Sequence, residues 1–173
     1  MRPSAADYKI KSGDKKINVL ECEVWGGKNA RDMYDNMNIN IMYLVDRWHP
    51  HYENYNFPDI KQRAIETFER FEDMDDVIII RANSLKFDLF PDGYFDYIYL
   101  DDDHTFEQVT KELELYWDKL KPGGALAGDN YEQAGVSRAV NTFSALQERE
   151  LFLKPWKTIT GTDVQVQDWW FYK

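Results

Sequence analysis

An α/β sandwich on a mostly parallel sheet is the fold this sequence predicts, and three observations carry that prediction. Short apolar runs alternate with amphipathic ones along nearly the whole chain, polar residues stand where the runs end, and two late runs follow one another with no helix between them. Strand–helix alternation demands parallel strands covered on both faces, while the uninterrupted late pair suits an antiparallel edge. With 173 residues the chain can bury a core without metal or disulfide staples, and it reads as one domain, 1–173.

Residues 17–25 (I-N-V-L-E-C-E-V-W) read as the first strand and the turn leaving it, and Gly26–Gly27 opens a helix to about Asp35. Residues 41–45 (I-M-Y-L-V) form a second strand ending at Asp46. A helix over 59–72 carries Ile60, Ala64, Ile65, Phe68 and Phe71 on one face, as a period of 3.6 requires. Residues 77–80 and 95–100 are the third and fourth strands, the latter running into Asp101-Asp102-Asp103-His104. Thr105 and Gln108 have capping-box spacing, and the helix they open shows Phe106, Val109, Leu113, Tyr116, Trp117 and Leu120 as one stripe. K-P-G-G at 121–124 stops that helix and feeds a short fifth strand, A-L-A-G, which ends at Asp129-Asn130. A helix over 136–146 buries Val136, Ala139, Val140, Phe143 and Leu146, and strands over 151–157 and 164–172 close the chain.

Composition narrows the function. Hydrophobic residues at 43% and aromatics at 16% mark a globular rather than a disordered chain. No apolar run approaches the roughly 18 residues of a membrane span, and the first ten residues lack an apolar signal core. The single cysteine, Cys22, excludes an internal disulfide and sits in an apolar run. A cytoplasmic protein without a membrane partner is expected. Thirty-one acidic against 21 basic residues give a net charge of −10. That field repels polyanions, so nucleic acid is not the expected partner.

In open α/β sheets, ligands gather beyond the carboxyl ends of the strands. Glu21, Asp46, Asn83, Asp101 and Asp129 all fall at or just past such ends. With the run F-D-Y-I-Y-L-D-D-D-H-T-F-E-Q and the exit K-L-K-P-G-G, the chain resembles the class I S-adenosylmethionine-dependent methyltransferases. It looks most like a small subgroup with an E-x-G-x-x-x-G first loop and a D-x-D-H fourth-strand end, over nearly the whole length from Val19 onward. The resemblance implies a Rossmann-like three-layer sandwich, with a mostly parallel seven-stranded sheet and an antiparallel C-terminal strand. It also implies the cofactor, S-adenosyl-L-methionine. Glu21, Gly26, Gly27 and Asp101 would then lie near its methionine part, Asp46 at the ribose, and Asn83 and Ser84 at the adenine.

One departure stands in the first loop, where Glu23 replaces the family's first glycine. Its side chain would obstruct the methionine moiety, attract the cofactor's cationic groups, or point to solvent. Asp101, Asp129 and Asn130 resemble the ligand set of catechol-type, metal-dependent O-methyltransferases, which implies a divalent metal with magnesium the expected ion. Asp102 or Asp103 is an alternative ligand to Asp101, and an acidic cap on the next helix is the bland reading of the cluster. His104, three residues after Asp101, has the spacing of the catalytic lysine in those enzymes; imidazole is a competent base near neutral pH. His49, His51, Trp48, Tyr52 and Tyr55 are candidates for substrate contact.

The expected reaction is transfer of a methyl group to an oxygen of a small molecule or sugar, with His104 and Asp101 as catalytic residues. Rival readings are a non-catalytic S-adenosylmethionine-binding protein and a nicotinamide-dependent oxidoreductase. The second lacks its G-x-G-x-x-G, since E-C-E-V-W-G-G follows the first strand. Only about 16 residues precede the first strand, where larger relatives carry helices over the substrate. Either a partner subunit, as in a homodimer, completes the pocket, or the pocket is open.

Overall fold

The computed structural model describes residues 1–49, 60–86, 89–158 and 165–173. Seven strands form one sheet: β1 (Ile17–Cys22), β2 (Ile39–Asp46), β3 (Val77–Arg81), β4 (Phe95–Leu100), β5 (Leu120–Gly128), β6 (Phe152–Thr158) and β7 (Gln165–Tyr172). Their spatial order is β3-β2-β1-β4-β5-β7-β6. The first five strands are parallel, and β7 runs antiparallel to both β5 and β6. The chain reverses its direction of travel across the sheet between β1 and β4. A crevice opens at such a switch point beyond the strand ends.

Five helices cover the sheet: α1 (Pro3–Ser12), α2 (Lys28–Asn36), α3 (Ile60–Phe71), α4 (Phe106–Lys119) and α5 (Ala134–Gln147). Strand alternation divides the core in two. Val19, Leu44, Tyr97, Tyr99, Ala127 and Trp170 pack with Tyr8 of α1, Met33 of α2 and Phe71 of α3. Leu20, Val45, Ile98, Leu100, Leu126 and Phe171 pack with Leu113 and Trp117 of α4 and Val140 and Phe143 of α5. The three-layer sandwich is therefore present.

Several details differ from the sequence reading. Helix α1 was not foreseen. Pro3 suits the first helical position, and α1 docks by the buried Ser4, Ala5 and Tyr8 rather than by a large aliphatic stripe; Ile10 is exposed. β5 begins at Leu120 rather than at Ala125, because Phe95 pairs with Leu120 and Tyr97 already with Ala125. The K-P-G-G segment bulges within the strand instead of preceding it, with Gly123 at φ +80° supplying the turn. Thr67 and Phe71 face the core from α3, whereas Ile65 and Phe68 are exposed; Leu146 of α5 is exposed as well. No helix among the described residues is long and apolar enough to cross a membrane.

At the edge opposite the crevice, buried Asp96 ties strand ends together. It accepts hydrogen bonds from Lys15 at 2.7 Å, Lys121 at 2.5 Å and the Asn18 amide at 2.9 Å. These donors hold its carboxyl below the usual aspartate range against the opposing effect of burial. Because Lys15 is exposed and Lys121 partly so, the loss is that of hydrogen bonds to a charged group, about 1.5–3 kcal/mol. Asp96→Ala should lower stability by that order in urea unfolding at pH 7. A depressed pKa stabilises the fold above the unfolded-state value and loses that contribution as pH falls through the folded one. The gap between wild type and mutant should therefore narrow at pH 3; a constant gap would contradict the assignment.

Candidate active site

Alternation along the strands decides which acids meet. On the α1–α3 face, Glu21 follows Val19, Asp46 follows Leu44, Asp101 follows Tyr99 and Asp129 follows Ala127, each one two-residue step further. On antiparallel β7, Asp168 precedes Trp170 by the same step. Asp102 follows Leu100 and so belongs to the opposite face. It accepts from Arg47 at 2.6 Å, from Ser84 at 2.8 Å and from Gln108 at 3.2 Å.

The acids on the first face are buried with few counterions. Burial pushes the Glu21 carboxyl up to about 8, despite the Asn29 amide that donates to Oε1 at 3.0 Å. Its Oε2 is buried with no hydrogen-bond partner. Burial likewise pushes Asp101 up to about 7, Asp168 up to about 6, and Asp129 well above its usual range. Arg2 compensates them. Its Nη1 lies 2.9 Å from Asp129 Oδ2 and 3.5 Å from Asp168 Oδ1, and its Nη2 lies 3.9 Å from Asp101 Oδ2. The guanidinium sits 3.6 Å above the Trp156 ring centre, a favourable cation–π geometry.

A cavity of about 260 Å³ opens beside Arg2, lined also by Glu21, Glu23, Trp25, Gly26, Lys28, Asn29, Arg63 and Asp101. Four proposed cofactor residues thus surround one space: Glu21, Glu23, Gly26 and Asp101. The other four do not line it. Asp46 holds the first loop from below, its Oδ2 accepting from the Val24 and Trp25 amides at 2.9 and 2.8 Å and its Oδ1 from the Trp48 amide. Asn83 caps a turn, accepting from the Leu85 amide at 2.9 Å. Ser84 is buried, with its hydroxyl 2.8 Å from Asp102 and 2.7 Å from Glu112. One hydroxyl hydrogen serves both carboxyls if Glu112 is protonated, and burial, aided by Asp102, raises Glu112 to about 8. At Gly27, φ is +72° and an added Cβ would press on Phe71 and Arg70, so backbone shape and α3 packing account for this glycine.

Glu23 does not point to solvent. It lies 3.5 Å from Arg47 and lines the cavity. Burial, then Asp46 and Asp102, push its carboxyl up to about 9, so it is held neutral at pH 7. Its φ is +61°, in the left-handed region that favours the glycine it replaces. Trp25, Trp48 and Asn130, also on loops leaving β1, β2 and β5, share positive φ values. Strained backbone of this kind concentrates at functional sites.

Asp101, His104 and Asp129 bring three ligand-type atoms within 4.8 Å of one another. His104 Nε2 is 3.5 Å from Asp101 Oδ1 and 3.9 Å from Asp129 Oδ1, while its Nδ1 meets the Gln133 amide at 3.2 Å. Asn130, the third expected ligand, has left-handed backbone at φ +56°, and its amide nitrogen donates to Glu132 at 3.0 Å. Asp103 is not a ligand, because it accepts from the Thr105 amide at 2.8 Å. Thr105 caps α4 as expected, but Gln108 reaches Ser84, Asp102 and Glu112 instead of closing the capping box. Trp48 is buried and donates to the Trp25 carbonyl at 2.9 Å, so it locks the first loop. His49 is exposed; His51, Tyr52 and Tyr55 lie outside the described residues.

A profile described as a methyltransferase domain matches residues 20–131, well over half of the chain. The chain belongs to this methyltransferase family. It is an S-adenosylmethionine-dependent enzyme of class I, which sets aside the nicotinamide and non-catalytic readings. No curated protein sequence matches the methyltransferase significantly. Among solved structures, it is similar to an O-methyltransferase from Bacillus cereus in complex with SAH, with 15% identity, TM-score 0.63, and coverage of 100% of this chain and 82% of that one. An rRNA methylase from Streptococcus thermophilus gives 16%, 0.68, 100% and 97%. A precorrin-6y C5,15-methyltransferase from Geobacter metallireducens gives 12%, 0.68, 98% and 88%. At such identities the likeness speaks for the fold and leaves the substrate open.

Arg2, Asn29, Lys28, Arg63 and Asp168 were missed as site residues. Asp168 had a visible signal, an acid among Trp and Phe on an alternating strand. The geometry of Glu23 yields a prediction for the methyltransferase. Left-handed φ costs a non-glycine residue about 1–2 kcal/mol, and the side chain fills cofactor space. Glu23→Gly should raise the melting temperature or leave it unchanged, and should tighten S-adenosylmethionine binding about tenfold, about 1.4 kcal/mol. Weaker binding in calorimetry, more for S-adenosylmethionine than for S-adenosylhomocysteine, would instead make Glu23 a partner of the sulfonium.

Proposed function

We propose that the enzyme transfers the methyl group of S-adenosylmethionine to an oxygen of a small molecule or sugar, at a divalent-cation site made by Asp101, His104 and Asp129. The observation that carries this reading is the convergence of Asp101 Oδ1, His104 Nε2 and Asp129 Oδ1 beside the Glu21 cavity. Buried Asp129 Oδ1 has no hydrogen-bond partner. An orphaned buried oxygen facing an imidazole nitrogen and a second carboxylate fits a hard ion.

When bound there, an ion such as magnesium supplies positive charge that lowers the pKa of a substrate hydroxyl. The chain's own residues do the remainder. Glu21 Oε2 would receive the cofactor's ammonium, and Asp46, both of whose oxygens accept from loop amides, would support the ribose end by holding the first loop in place. Asn83 and Ser84 would flank the adenine through their backbone. The Gln133 amide nitrogen, 3.2 Å from His104 Nδ1, fixes the ring; for Nε2 to ligate an ion or accept a proton, the amide would turn its oxygen to Nδ1–H. Methyl transfer is a direct displacement, so alignment and exclusion of water account for much of the rate.

The same geometry supports one second reading, in which His104 Nε2 takes the hydroxyl proton directly and no ion takes part. Chelation separates the two. With radiolabelled S-adenosylmethionine and a panel of phenols, alcohols and sugars, exhaustive chelation should abolish transfer and leave S-adenosylhomocysteine binding intact. Activity that survives chelation would favour the histidine-base reading. His104→Ala should lower kcat by about 100-fold or more with little change in cofactor affinity; equal loss of both would make it structural. Asp46→Ala should weaken S-adenosylhomocysteine binding by about 1.5–3 kcal/mol, and unchanged affinity in a folded mutant would remove Asp46 from the cofactor site. A small-molecule substrate also accords with the net charge of −10, which disfavours nucleic acid.

A further inference from the structure

Asp101 and Asp129 each have two faces. Their Oδ1 atoms turn toward His104 Nε2, at 3.5 and 3.9 Å, and their Oδ2 atoms turn toward Arg2, at 3.9 and 2.9 Å. The same pair of carboxylates thus carries a resident monocation on one side and the candidate ion site on the other. Arg2 is not a passing visitor. At the second residue of α1, fully buried Ser4 donates to Asp168 Oδ2 through its amide at 3.2 Å and its hydroxyl at 2.8 Å, and meets the Tyr97 hydroxyl at 2.9 Å. Asp168 also takes the Tyr99 hydroxyl at 3.1 Å and Arg2 at 3.5 Å. The N-terminus of α1 is therefore bolted to β7 and β4, and the guanidinium is pinned over Trp156.

We propose that Arg2 sets the strength of the Asp101–His104–Asp129 ion site, acting as a fixed counter-cation that holds divalent-ion affinity down. This rests on the reading of that trio as an ion site. A guanidinium stays protonated throughout the working pH range, so its charge is permanent. Two cations sharing two carboxylates repel, and in a half-buried site with a low effective dielectric the repulsion is poorly screened. Arg2 serves a second purpose. Without Arg2 or a divalent ion, the carboxyls of Asp101, Asp129 and Asp168 would be buried together with only His104 beside them, and burying charge unpaired is costly. Arg2 lets the acidic edge fold before any ion arrives, at the cost of weaker ion capture. Arg2 is a positioning residue that acts through Asp101 and Asp129.

The test is manganese binding to the full chain, followed by calorimetry and by the electron paramagnetic signal of free ion. Arg2→Met and Arg2→Gln remove the charge, Arg2→Lys keeps it, and Asp129→Asn reports whether the ion sits at this cluster. Melting curves establish that each variant is folded; Arg2→Gln retains hydrogen-bonding capacity should Arg2→Met fail to fold. The expected result is binding tightened about tenfold or more in the neutral variants, near wild type in Arg2→Lys, and lost in Asp129→Asn. A residue with a merely structural role would leave affinity unchanged or weaken it. Equal or weaker binding in both neutral variants, with Asp129→Asn still losing the ion, would overturn the role of Arg2 and leave the ion site standing. Manganese binding that is absent from every variant, or indifferent to Asp129→Asn, would overturn both.

Discussion

The two-residue period of a β-strand is the constraint on which the rest of this molecule depends. Because side chains alternate, an acid one step beyond the last core residue of a strand must emerge on that residue's face. Glu21, Asp46, Asp101, Asp129 and Asp168 all do so on the side covered by α1, α2 and α3. A one-residue slip would send each into the opposite layer, where Asp102 goes and becomes a structural acceptor for Arg47 and Ser84. The acidic edge is thus a consequence of core packing. The same apolar residues that hold the sheet between its helices aim the acids.

Concentrating carboxylates in this way raises a stability problem, and the molecule answers it with local partners. Asp46 is satisfied by backbone amides of the first loop, Glu21 Oε1 accepts from Asn29, and Arg2 offsets the charge of the Asp101–Asp129–Asp168 group. These partners shape the cofactor space as they neutralise it. Asp46 draws the Glu23–Trp25 segment down into left-handed backbone, which leaves Glu23 between Asp46 and Arg47 as a neutral acid. A position that ordinarily favours glycine is occupied by a side chain because nearby donors and the Asp46 carboxyl give that side chain somewhere to go.

Much of this was legible in the sequence. The order of seven strands, the antiparallel edge, the α4 cap at Thr105 and the convergence of Glu21, Asp101 and Asp129 follow from periodicity and strand-end chemistry. Helix α1 was not legible, since it docks through Ser4, Ala5 and Tyr8, and small residues leave no hydrophobic stripe. Arg2 was hidden with it, because its partners come from β4, β5 and β7, far away in sequence. The approach of His104 to both Asp101 and Asp129 was not legible either, because its ring is held by Gln133 from a distant loop. Ile65, Phe68 and Leu146 mislead for the opposite reason: helical spacing marks a face, and here the neighbouring turns bury Thr67, Phe71 and Phe143 instead.

On the proposed function, this edge joins a cofactor cavity to a cation site through shared carboxylates. A crystal structure of the full chain with S-adenosylhomocysteine and manganese, with anomalous data collected for the metal, tests it most directly. The expected result is an anomalous peak about 2.0–2.3 Å from Asp101, His104 and Asp129, with the ligand's amino-acid end against Glu21 in the neighbouring cavity. A peak elsewhere, an empty cluster at saturating manganese, or a ligand bound away from Glu21 would contradict it.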